Sequence, residues 1–190
     1  VEAFHHVLSL LAFVFAVSLT SLLSRMSALF VARDRVTVSG LSVIAGLNCA
    51  LLVYVNWLAM WELREVPDWN MMTISGIFAF ALSIYFTSTL ALPQSGGEGP
   101  IDLRAFYDRE RVTYYVSWLV CELLAIVCNL LLANPRNATE LYNENILNGM
   151  MLLPILLALA VRQGWAQWTG GLGLMAANLA FLIAFEDRLQ

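Results

Sequence analysis

The chain has 190 residues, of which 60% are hydrophobic and 13% charged, with a mean hydropathy of +0.73; this balance excludes an ordinary soluble domain and puts the chain in lipid. The net charge of −4 argues against nucleic acid as a partner, and the basic residues are all Arg. The polar links between apolar runs are short, so residues 1–190 read as a single transmembrane domain.

Six apolar runs, 4–32, 41–61, 71–92, 112–133, 146–161 and 169–185, predict an all-α, polytopic bundle of six transmembrane helices. The runs are too continuous for the alternation of a barrel strand, and in hydrocarbon a helix satisfies its own backbone. The first run is longer than a signal-peptide core and lacks a small-residue cleavage site, so no signal peptide is read. It carries the two histidines of the chain, His5 and His6. Adjacent residues point in different directions around a helix, which excludes a b-type haem with both ligands from this chain. Ser39 and Asp68 are expected N-caps of the second and third helices. Pro93 to Pro100 is the one turn-rich link. Residues 101–111 then continue the fourth helix backwards as an amphipathic extension near the headgroups, with Arg104, Asp108, Arg109, Glu110 and Arg111 on its polar side. Asn137 with Glu140 resembles a capping pair, and Asn137-Ala-Thr139 also fits a glycosylation sequon. The fifth and sixth runs are short for spans, and the fifth contains Pro154.

Arginine placement sets the expected orientation. Arg25, Arg33, Arg35, Arg104, Arg109, Arg111 and Arg162 fall on one side, against Arg64, Arg136 and Arg188 on the other. The positive-inside rule makes the first side cytoplasmic and puts both termini outside, in what reads as a bacterial inner membrane. Trp57, Trp61 and Trp69 mark the outer turn between spans two and three, and Trp165 and Trp168 the inner turn between five and six. Sliding the chain by about a hundred residues brings Asn48 onto Asn148 and Trp69 near Trp168, the pattern of a three-plus-three inverted repeat with a site at the midplane.

Glu122 is the only acidic residue within the run 112–133, near its middle and roughly 15 Å from either membrane face. An ionisable group there costs on the order of 2.5 kcal/mol or more unless paired or wetted, which makes it the leading functional candidate. Trp118, Glu122, Ala125 and Asn129 share one helix face expected to turn inward, while Val116, Val120, Leu123, Val127 and Leu131 make the apolar remainder. Ser18, Ser21, Asn48, Asn56, Ser83, Thr87 and Asn178 stand at similar depth. The expected ion or substrate site has Glu122 as the titrating group, with Asn178, Ser18, Asn48 and Asn129 as polar ligands; the competing reading is a protonated Glu122 acting as hydrogen-bonding glue between helices. Stripes of small residues, Gly173-Ala177-Ala180-Ala184 and Gly76-Ala79-Ser83-Thr87, point to close helix packing.

Cys49, Cys121 and Cys128 lie in apolar runs without a Cys-x-x-Cys pair and read as small hydrophobes. The Asn-Pro-Ala boxes of an aquaporin-type channel are absent, as are protease, hydrolase and nucleotide-binding motifs, and no cofactor is indicated. The reading is a small transporter or channel centred on Glu122, in contact with the bilayer and with further copies of itself or other membrane subunits. The alternative is a non-catalytic subunit or assembly partner of a larger membrane complex.

Overall fold

A computed structural model describes residues 2–66, 69–94, 99–132 and 138–186, without the side chains of 2, 3, 65, 138–144 and 186. Its long elements are the helices α1 (Glu2–Val31), α2 (Gly40–Ala59), α3 (Met71–Leu90), α4 (Leu103–Leu132), α5 (Ala138–Ala160) and α6 (Gly164–Glu186). Five helices, all but α5, are long and apolar enough to cross a membrane; the apolar part of α5, Asn145–Ala160, is shorter. At about 1.5 Å per residue, the 30 residues of α1 and of α4 each extend to roughly 45 Å, beyond a hydrocarbon core of about 30 Å. The protein is therefore an all-α membrane bundle, as its hydropathy predicts.

The helices close a ring in the order α1, α3, α4, α5, α6, α2, and α2 also leans across the middle onto α3 and α4. This order gives the two halves of the chain different neighbours. Under an inverted repeat the extensive packing of α1 on α3 would recur between α4 and α6, but α5 stands between those two. The expected repeat is thus not expressed in the helix pairing. Apolar helices resemble one another because hydrocarbon selects the same residues, and Arg and Trp recur at interfaces for topological reasons.

The basic end of the bundle is tied together by links between chain-distant segments. Two residues before α2, β1 (Val36–Thr37) pairs in parallel with β2 (Ile101–Asp102), so Val36 faces Ile101 and Thr37 faces Asp102. This short pairing replaces the first turn of the helical extension expected from residue 101. The helix starts instead at Leu103, where Asp102 Oδ1 accepts from the Arg104 and Ala105 backbone N–H groups at 2.8 and 3.0 Å. Ser42 Oγ donates to the Leu103 carbonyl at 2.8 Å. Arg25 donates from Nη1 to the Leu92 carbonyl at 2.7 Å and so closes the end of α3.

Two capping expectations change. Ser39 has the extended backbone of an N-cap but makes no side-chain capping bond; Asn70 caps α3, its Oδ1 accepting from Thr73 N at 2.9 Å. The Asp68 cap and the Asn137 cap and sequon lie outside the described residues.

Close approach of α5 and α6 depends on glycine. A Cβ on Gly170 would sit 2.7 Å from Ala158 Cβ and 3.0 Å from the Pro154 carbonyl oxygen, and one on Gly173 would sit 3.0 Å from Pro154 Cβ. Gly76 plays the same part between α3 and α4, facing Leu131 Cδ1 at 3.1 Å. Of the expected small-residue stripes, Gly76, Ser83, Thr87, Gly173 and Ala177 are covered by packing, whereas Ala79, Ala180 and Ala184 are exposed.

Candidate functional site

The face of α4 predicted to turn inward does so at its centre. Trp118 and Glu122 are buried, with 0% and 3% exposure, whereas Val116, Val120, Leu123 and Val127 are exposed toward lipid. Four residues apart, Trp118 and Glu122 stack along one side of the helix. Glu122 makes no ion pair or hydrogen bond with any described residue. It is a carboxyl held in an apolar interior by burial alone.

Around it, the polar side chains sort into two groups. Ser18 Oγ donates to Val14 O and Asn56 Nδ2 to Leu52 O, each at 2.8 Å. Ser83 and Thr87 likewise bond carbonyls of their own helix. These side chains are satisfied by carbonyls of their own helix, and Ser83 also meets the Cys121 side chain of α4. Asn129 bonds Asn145 Oδ1 on α5 at 3.2 Å, about two turns beyond Glu122 toward the opposite end. Asn48 and Asn178 differ. Asn48 Nδ2 donates across to the Gly171 carbonyl at 2.8 Å and Asn178 Nδ2 to the Leu174 carbonyl at 2.9 Å. In both, the amide oxygen is buried and has no partner among the described residues; the Trp118 indole Nε1, also buried, makes no well-aligned hydrogen bond and has the Tyr114 side chain as its polar neighbour, the two rings 6.4 Å apart. A buried amide oxygen left unpartnered costs about 1–3 kcal/mol relative to a satisfied one, so the two among the described residues call for a reason.

A second polar cluster, not foreseen from the sequence, lies on α4 toward the basic end. Tyr107 donates to Gln167 Oε1 at 2.9 Å and lies 3.1 Å from the Tyr115 hydroxyl, which therefore donates to Tyr107. Gln167 Nε2 donates to the Ala158 and Val161 carbonyls at 2.9 and 2.6 Å. Arg111 Nη1 reaches the same Ala158 carbonyl at 2.5 Å. Together these side chains cap the end of α5, whose last carbonyls have no helical partner. Tyr107, Arg111 and Tyr115 recur every four residues on one face of α4, a signal that was legible; Gln167, between two interfacial tryptophans, gave none. Nearby, Tyr114 donates to the Ala45 carbonyl at 3.3 Å, which pins α4 to α2.

Cys49, Cys121 and Cys128 are buried and unpaired, as small apolar residues are. Among the described residues no group of three or more His, Cys, Asp or Glu gathers where it could hold a metal ion. No protein-family model, curated protein or solved structure matches the chain.

Proposed function

We propose that this protein is a small membrane transporter or channel in which Glu122 binds and releases a proton as part of the transport cycle. The observation that carries this reading is a carboxyl buried at the centre of α4 without a partner among the described residues. A structural role would demand a donor or acceptor on a neighbouring helix, as Asn48, Gln167 and Arg111 each have. Glu122 has none, so its presence in hydrocarbon is better accounted for by function than by adhesion. The test uses the purified chain in liposomes. Glu122→Gln keeps the shape and hydrogen-bonding capacity and removes the titration, so pH-dependent flux falls at least tenfold while the fold persists. Equal flux for Glu122→Gln and wild type at every pH would return the protein to the alternative reading, a non-catalytic subunit of a larger complex.

The same reading sets the basic end, with Arg33, Arg35, Arg104 and Arg109, in the cytoplasm of a bacterial cell, with both termini outside. Gly99 lies at that end, exposed and with nothing within 4 Å of an added Cβ. A Gly99→Cys variant should resist an impermeant thiol reagent in intact cells and react after lysis; labelling before lysis reverses the orientation.

A further inference from the structure

We infer that Glu122 exchanges its proton with the arginine-poor end of the bundle, along a seam between α4 and α5 lined by Asn129, Asn145 and Asn148, while Arg111 and Tyr115 close the way to the basic end. The inference rests on Glu122 being the titrating group.

Two contacts fix the side of α4 on which Glu122 stands. Arg111 Nη1 donates to the Ala158 carbonyl and Asn129 Nδ2 to Asn145 Oδ1, so both residues face α5. With successive residues about 100° apart on a helix, Arg111, Glu122 and Asn129 lie within about 20° of one another around α4. Glu122 therefore faces α5 between Ala158 and Asn145, roughly 16 Å along the helix from Arg111 but only about 10 Å from Asn129. Asn129 is itself within one turn of Leu132, where α4 ends.

The seam is built differently on the two sides of Glu122. Toward the basic end it is filled: Tyr115, Ile155 and Ala158 are at most 1% exposed and Met151 is buried with them. The carbonyls of Ala158 and Val161 there are taken by Arg111 and Gln167. Toward the other end Ala125, Asn129, Asn145 and Asn148 are all partly exposed. Asn148 lies one turn from Asn145 in the direction of Glu122, about 60° around α5, and bonds no described residue. Carboxamides both donate and accept, so such a lining holds water, and about two turns of it separate the carboxyl from the end of α4. No charged group competes along it: the described side chains of α5 include nothing ionisable, α3 brings only Tyr85, and α2 brings Cys49 and Tyr54. In the exchange step, a hydronium in the seam loses a proton to a Glu122 carboxylate oxygen; one O–H bond breaks, one forms at the carboxyl, and a neutral water is left. Discharge toward the same end is the reverse.

Two measurements test this on the full chain. In the first, an impermeant thiol reagent is applied to intact cells and to inverted membrane vesicles. Asn148→Cys and Gly99→Cys should react in opposite preparations, and wild type, whose cysteines are buried, in neither. In the second, deuterium exchange at the Glu122 carboxyl is followed in lipid nanodiscs by its infrared C=O stretch, assigned by its loss in Glu122→Gln. Exchange should slow at least tenfold in Asn148→Leu, and again when the thiol of Asn148→Cys carries the reagent. Reaction of positions 99 and 148 from the same face, an unreactive position 148, or exchange at the wild-type rate in Asn148→Leu would each overturn the inference, even if Glu122→Gln abolishes flux. Flux that is indifferent to Glu122→Gln would instead remove the transport reading, and the infrared exchange would still decide from which end the carboxyl is reached.

Discussion

Two buried polar regions sit on the same helix and are built in opposite ways. At the basic end, Tyr107, Arg111, Tyr115 and Gln167 form a closed network in which the hydroxyls, the amide and the last carbonyls of α5 find partners. Further along α4, Trp118 Nε1 makes no well-aligned hydrogen bond and Glu122 is buried without a hydrogen bond to a described residue, while the amide oxygens of Asn48 on α2 and Asn178 on α6 are also unpartnered among the described residues. Apart from the half-buried Arg111, the side chains of both regions are buried, so burial does not distinguish them. The difference teaches that burial in this bundle does not by itself secure a partner: the satisfied groups hold helices together, and the unpartnered atoms add no bond between them.

Stability measurements can break that contrast. The largest loss is expected for Gln167→Leu, which leaves the Tyr107 hydroxyl without its acceptor and the Ala158 and Val161 carbonyls without the amide donor; the cost is about 2–3 kcal/mol in denaturant unfolding in detergent micelles. Tyr107→Phe removes a single hydroxyl from the same network and should cost about 1 kcal/mol, and the pair should be non-additive in a double-mutant cycle. The smallest change is expected for Asn178→Leu. It gives up a bond to a carbonyl of its own helix and removes an unpartnered oxygen, so stability should stay within about 1 kcal/mol of wild type, with a gain more in keeping than a loss. If Asn178→Leu costs as much as Gln167→Leu, Asn178 is glue and the contrast between the regions fails.

Much of this protein was decided by its sequence alone. Length and continuity of the apolar runs determine the helices, because in hydrocarbon each backbone group must be satisfied within its own segment. The inward face of α4 was legible for the same reason: Trp118 and Glu122 recur at helical spacing among valines and leucines that favour lipid, and the structure buries the former and exposes the latter. The tertiary structure decided which helices are neighbours. Apolar surfaces match one another with little specificity, so a shift of a hundred residues suggested a repeat that the ring order does not reproduce. It also decided which polar groups are satisfied. Nothing local distinguishes Gln167, which ties α6 to α4 and α5, from Asn178, which bonds only within its own helix, because a hydrogen bond depends on what a distant segment brings to within about 3 Å.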